Sequence, residues 1–594
     1  MAGHFEYIDA FKTTFPSPFK FRTTTPITLV ELRIRFFSGS IRSKANWWEK
    51  VHDSDIVSSW REEILAHDRT EVDRWWGGDK YYDAWMPPTS PWGRPSEIKA
   101  WPRDVLTSAQ LDYTFDQLLY EASQVDKRTG TFATAIQGVY ESRTLIPAAL
   151  GDALVNAVKT LESVPEAEKD WHPGSNRQVL DLVHPSLYCL RIGDSCSFAD
   201  GRIEAMPQTI TMDAYRSARP DLRQYTYDHL QYAVSPRYQW LPTDFTVSQH
   251  GAVRPMSYIN NIDPARYPAL YPTLASILEK FVPLFEHVLT TTNSSQPPLP
   301  LAIAVDPVNW YPERPDWAEP LVGETQEELR ARQEEWTRLH EWPIIPDPAP
   351  FSPPPARAPY SLRGRTIQVI VKLANIVLTP DHPRYPGGAW HVEGMANERI
   401  VATGLLYYAA ENITPSRLAF RALAGDHEGG IYMDYEQSDY TGWRVAFGLD
   451  CQEPLNQPLG SVLVAGDGVG DGRCVAFPNV YQHCVEPFEL ADPTRGGHRK
   501  IVAFFLVNPE TRIASTTEVL PQQEGWVRGS VEAMREMDRL PTELYDIVMK
   551  EALVGVVSRE RAEADREALM EERSRFVVKH NEEVFEVPFN MCEH

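Results

Sequence analysis

His391-Val392-Glu393, the distant His483 and then Arg499 are the residues of this chain whose types and spacing point most directly to chemistry. Two imidazoles and one carboxylate form the ligand set of a facial triad, which holds Fe(II) on three adjacent positions and leaves the opposite three open for a cosubstrate and O₂. In a strand, residues i and i+2 share a face, so His391 and Glu393 can bind one ion together. The third ligand must come from a strand brought alongside by the fold. His483 ends the apolar run Cys474–His483, read here as one strand with a polar tip. Arg499 opens another strand-like run, Arg499–Val507, and its planar guanidinium fork suits a dicarboxylate. Chance alone produces a His-x-Glu readily among 16 histidines. The β-rich setting after Gly387-Gly388, the second histidine and the arginine are what raise this one to a metal site.

The order His-x-Glu, distant His, Gly-x-Arg (Gly497-His498-Arg499) resembles the Fe(II)- and 2-oxoglutarate-dependent dioxygenases, over roughly residues 365–510. The resemblance implies that His391, Glu393 and His483 bind Fe(II), that 2-oxoglutarate chelates the iron, and that Arg499 holds its far carboxylate. It implies hydroxylation of a substrate C–H with release of succinate and CO₂. Lys372 or Asn375, in the strand Gln368–Leu378, is a second candidate for the oxoglutarate carboxylate; they have opposite parity, so at most one faces inward. Two features depart from the family pattern. Glutamate replaces the more usual aspartate, and the step from His483 to Arg499 is long, which requires a loop such as Glu489–Gly496. Across most of the chain, Tyr238–Pro242, Ser257–Asn261, Gly388–Gly394 and Phe505–Pro509 resemble a fungal family labelled domain of unknown function 4246, which implies no substrate.

Two other classes stay open: a cupin-like metalloenzyme that does not use 2-oxoglutarate, and a non-catalytic binding protein with a vestigial metal site. Arg499 separates the first from the leading reading, because without oxoglutarate it has nothing to hold. Trp390 reads as wall packing, and Cys484 and His498 should point away from the site by strand alternation. His250, Asp381, His382 and His427 sit in polar turns or loops and read as solvated.

Bulk properties narrow the field. Lys+Arg 58 against Asp+Glu 82 gives a net charge of −24, which argues against a nucleic-acid or anionic-membrane partner. Six cysteines in 594 residues, with no Cys-x-x-Cys pair, signal neither a disulfide framework nor structural zinc. With no secretory signal and no apolar run of about 18 residues, a soluble cytoplasmic protein is expected. Its partners would be O₂ and an unidentified substrate, small molecule or protein.

The chain should be α+β, with a jelly-roll (double-stranded β-helix) core, a large helical N-terminal region and a helical tail. Five segments are expected: 1–235 mainly helical after an extended arm of about 35 residues, 236–289 a hairpin and helix, 290–360 Pro-rich, 361–528 the metal-binding core, and 529–594 the tail. Helical periodicity marks stretches from Asp104, Ile146–Leu161, Tyr267–Leu289 and Glu324–His340. Gln249-His250-Gly251 turns a hairpin. Thr366–Leu378, Ile400–Tyr408, Trp443–Phe447, Gly460–Val464, Arg473–Phe477 and Lys500–Val507 read as core strands, and Ala562–Arg575 as a solvated charged helix. The 290–360 stretch fits either a lid over the metal or a passive connector.

Overall fold

A computed structural model describes residues 14–19, 26–70, 105–198, 207–219, 222, 231–296, 299–305, 320–339, 345–424, 441–449, 456–466 and 472–586. The strands that matter are β1 (Val179–Val183), β2 (Thr243–Val247), β3 (Val253–Pro255), β4 (Thr366–Leu378), β5 (Ile400–Glu411), β6 (Ser416–Leu423), β7 (Asn456–Ala465), β8 (Arg473–Pro478), β9 (Gln482–Val485) and β10 (Gly497–Val507). The principal helices are α1 (Leu29–Arg42), α2 (Ser108–Gln124), α3 (Ala148–Glu162), α4 (Leu270–Thr292) and α5 (Arg559–His580). The architecture is mixed α+β.

A large antiparallel sheet runs Phe132–Ala133, Tyr140–Ser142, β8, β5, β10, β4, β2, β3, with β1 also paired to β4. A second, three-stranded sheet runs β7, β6, β9. Alternation along β10 sorts the two layers. Val502, Phe504 and Leu506 belong to an outer cluster with α4, whereas Ala503, Phe505 and Val507 belong to an inner one. That inner cluster also holds Leu418, Phe420, Val462 and Val464 from the second sheet. Both faces of β4 are buried, and this is why, after its first residue, Val, Ile, Leu and Ala fill it apart from Gln368, Lys372 and Asn375.

Helix α4 closes the outer face. Leu274, Ile277, Leu278, Phe281, Phe285 and Val288 are all buried, and Phe281 meets Phe504 edge-on at 5.5 Å. Gly404 of β5 permits that approach, since a Cβ there would lie 2.7 Å from Phe281 and 2.9 Å from Phe285. The hairpin expected around Gly251 is present as β2 paired with β3. The helix expected from Asp104 is α2, with Thr107 and Gln110 in a reciprocal capping box; Asp104 itself lies outside the described residues. The extended arm expected over the first 35 residues does not reach that far, because α1 begins at Leu29 with the Thr28 hydroxyl as its cap; residues 1–13 and 20–25 lie outside the described residues. The charged helix of the Pro-rich segment runs Gln326–Leu339. Further on, Phe351 packs on Tyr113 and Tyr120 of α2, and Asp347 accepts from Thr107, so this part of the segment is fastened to the helical region.

Three local expectations need correction. Trp443–Phe447 is helical (Thr441–Phe447), because its two aromatic rings stand four residues apart and meet at 5.2 Å. The run Cys474–His483 is not one strand. Pro478-Asn479 ends β8, and after a turn the chain enters the other sheet as β9. The charged tail helix is not solvated all round, since Leu569 and Phe576 of α5 are buried in the core and Arg573 stacks 3.6 Å from the Trp240 ring centroid. The Glu571–Arg575 ion pair does lie on its exposed side.

Candidate metal centre

The structure brings His391, Glu393 and His483 together, with one donor atom from each within 4.8 Å of the others. His483 is carried by β9. His391 is joined to it by an isolated antiparallel bridge, with His391 N–H to His483 C=O at 3.2 Å and the reverse bond at 3.0 Å. Glu393 is not in a strand as expected. It sits in a bend held by Asn479, whose side chain accepts from Glu393 N–H at 2.8 Å and donates to the carbonyls of Glu393 and Ile400 at 2.9 and 3.0 Å. Asn479 is buried, and it is the residue that also ends β8.

Hydrogen bonding fixes the state of the ligands. His391 Nδ1 lies 2.8 Å from the Ala389 carbonyl, so that nitrogen carries the proton and Nε2 presents a lone pair. That Nε2 faces Glu393 Oε1 at 3.9 Å, and His483 Nε2 faces the same oxygen at 3.3 Å. Burial would push the Glu393 carboxyl up, but the His483 contact and the nearby His391 and Lys372 hold it at about 2. Burial pushes the His391 imidazole down to about 4, helped by His483. A carboxylate and a neutral imidazole thus point lone pairs at one another with no proton between them, an arrangement that a cation would reconcile. The phenyl rings of Phe477 and Phe420 wall the His483 ring at 4.8 and 6.4 Å. Arg421 lies 4.9 Å from the Trp390 ring centroid, which makes Trp390 part of the packing.

Arg499 lies on β10 on the face turned to the second sheet. It is buried, donates from Nη1 to the Ser416 hydroxyl of β6 at 2.7 Å, and sits 5.4 and 5.2 Å from the rings of Tyr407 and Phe488. Buried Arg473 and Arg566 face the carboxylates of Glu141 and Asp170, and buried Arg42 and Arg219 donate to the carbonyls of Ala133 and Tyr215. Among the described residues Arg499 reaches neither a carboxylate nor a backbone carbonyl, and its acceptor is the Ser416 hydroxyl.

Lys372 and Asn375 separate as their parity requires. Lys372 pairs with Ala503 of the inner cluster, and its charge reaches His391 and Glu393. Asn375 is excluded from the site. It points to the outer face, donating to Glu162 of α3 at 2.7 Å and accepting from the Tyr408 hydroxyl at 3.3 Å. His250, Asp381 and His382 are exposed, and His427 lies outside the described residues. Asn479 and Ser416 were missed. An Asn after a proline signals only a turn, and nothing in the sequence marks a lone serine as an arginine's partner.

A family profile described as "Protein of unknown function (DUF4246)" matches residues 108–530, and the family's N-terminal domain matches residues 4–63. The chain belongs to the DUF4246 family. No curated protein matches it. Among solved structures, the selenomethionine-labelled Fe(II)/α-ketoglutarate-dependent dioxygenase TqaL is 9% identical at a TM-score of 0.21, covering 61% of this chain and 90% of that one. A BsmA homologue from Methylobium petroleophilum PM1 is 9% identical at a TM-score of 0.17, covering 52% and 90%. Both likenesses are too loose to bear on chemistry. No helix among the described residues of this DUF4246 chain is long and apolar enough to cross a membrane.

Proposed function

We propose that this protein is an Fe(II)- and 2-oxoglutarate-dependent oxygenase that hydroxylates a substrate C–H. The observation that carries the reading is the buried Arg499, which among the described residues faces no carboxylate, on the inner face of the sheet, together with the three-residue group His391, Glu393 and His483 whose donor atoms lie within 4.8 Å of one another. Strand order supports it as well. Four strands β8, β5, β10, β4 lie side by side in one sheet, and β7, β6, β9 lie in the other, with His391 bridged to β9. A large and a three-stranded antiparallel sheet facing one inner cluster, with the His391 bridge beside the smaller one, support a double-stranded β-helix core.

His391, Glu393 and His483 would hold Fe(II), the ion suited to imidazole and carboxylate ligands with open positions. When bound, iron and 2-oxoglutarate supply the oxidising chemistry, with succinate and CO₂ as coproducts. The chain does the rest. Ala389 keeps the His391 proton on Nδ1 so that Nε2 stays free. Asn479 fixes the backbone that aims Glu393. Arg499 and Ser416 would take the far carboxylate of 2-oxoglutarate, the guanidinium through paired N–H donors and the serine through its hydroxyl. Tyr407 and Phe488, whose rings flank the guanidinium, exclude water, which strengthens that charge pairing.

Anaerobic titration of Fe(II)-loaded protein with 2-oxoglutarate, followed by visible absorption and then by succinate production in air, tests the proposal. A charge-transfer band that saturates with 2-oxoglutarate is expected. Iron binding with no response to 2-oxoglutarate would replace it with a metalloenzyme of another kind.

A further inference from the structure

A second set of donor atoms converges from residues outside the triad. His172, Asp181 and His184 each offer one ligand atom within 4.8 Å of the other two. All three come from one short stretch, where Trp171 bridges Leu180 and His172 N–H donates to the Val179 carbonyl at 2.9 Å. Strand β1 delivers Asp181 to the edge of the large sheet opposite Ala374. His172 Nδ1 lies 2.8 Å from Asp181 Oδ2, and the two imidazole rings are 5.5 Å apart.

Asp181 is the informative member. Its side chain is 1% exposed, and Oδ1 makes no hydrogen bond. The buried carboxylates of Asp68, Asp244, Glu398 and Asp565 each face a guanidinium, at 3.3, 3.0, 2.8 and 3.1 Å. Asp181 has no guanidinium partner among the described residues. Lys372 reaches it only through the longer-range field. A carboxylate this deeply buried with one oxygen bare is costly unless something positive completes it.

We propose that His172, Asp181 and His184 form a second divalent-cation site, of the zinc class. Two imidazoles and a carboxylate supply three positions of a tetrahedron, and the partly exposed His172 side leaves the fourth to solvent. The ion would staple the 171–184 stretch to the sheet edge. Two contacts oppose loading: His172 Nδ1–H donates to Asp181 Oδ2 at 2.8 Å and Ser186 N–H reaches His184 Nδ1 at 3.2 Å, so binding costs those hydrogen bonds or proton shifts within the rings. That loss is a fraction of what ligation by three groups supplies. The proposal is independent of the oxygenase reading.

The test uses the full chain stripped with chelator and titrated with Zn(II) against a chromophoric competitor, with Co(II) absorption as a second readout. The expected stoichiometry is two for the wild type and one for His391→Ala/His483→Ala. Adding Asp181→Asn to that variant should remove the remaining equivalent, and Asp181→Asn alone should fall from two to one, which keeps the test valid if the double variant does not fold. A natively folded double variant that binds no Zn(II) overturns the proposal. So does an equivalent that survives Asp181→Asn with His184→Gln. A wild type whose single equivalent is lost on Asp181→Asn but kept in the double variant would sustain this site and remove the triad instead.

Discussion

His391 and His483 are hydrogen-bonded to each other through both backbone pairs, and their imidazole rings stand 4.4 Å apart across that bridge. The backbone bonds do not depend on either ring. Replacing His391 or His483 with Ala should therefore abolish tight Fe(II) binding while the fold is kept. Iron analysis after anaerobic reconstitution and desalting, with circular dichroism as the control, measures both. Stoichiometric iron in either folded variant would refute the triad.

Arg499 should matter for the cosubstrate and not for the metal. Arg499→Met keeps much of the stem and removes the fork, so 2-oxoglutarate affinity should fall by about 1.5–3 kcal/mol, the scale of a charge-assisted bond. Ser416→Ala removes one neutral hydroxyl and should cost only about 0.5–1.5 kcal/mol. Calorimetry on the Fe(II)-loaded variants reads both. Equal affinity in Arg499→Met and wild type would shift the anchor to Lys372.

Much of this site was legible because strand alternation is a local rule. Parity alone separated Lys372 from Asn375, and the apolar run after Arg499 announced β10. The conformation around Glu393 was not legible, since it depends on Asn479, which approaches it only after folding. The same limit hid the break at Pro478-Asn479: the pair signals a turn, but only the pairing of β8 and β9 with different sheets divides the run. Trp443–Phe447 failed for another reason. Five residues with two aromatics fit a strand or a helical turn equally well, and tertiary packing decides.

Asn479 offers a test of that buried clamp. Asn479→Ala removes the side-chain acceptor for Glu393 N–H and the donor to two carbonyls, leaving buried backbone groups unpaired. A stability loss of about 1–3 kcal/mol is expected. Fe(II) affinity should fall about 10–100-fold, the usual effect of losing an outer partner of a ligand. Denaturant titration of the apo protein and competitive metal titration separate the two effects. A variant with lowered stability but unchanged metal affinity would show that Asn479 holds β8 and not the ligand.

Asp181 should leave a signature in acid. Burial raises its carboxyl, yet His184, His172 and Lys372 together bring it down to about 2, below its ordinary value of 3.8. A carboxyl with a depressed folded pKa binds protons more readily in the unfolded chain. Its contribution to stability is therefore fully present above about pH 4 and is lost as pH falls toward 2. A shift of this size corresponds to at most about 2.5 kcal/mol. In chelator-treated protein, the stability gap between wild type and Asp181→Asn should hold steady from pH 7 to about 5 and narrow between about 4 and 2. Urea midpoints across that range measure it. A gap that is constant down to pH 2, or one that widens in acid, would mean that the folded carboxyl is not held below its ordinary range.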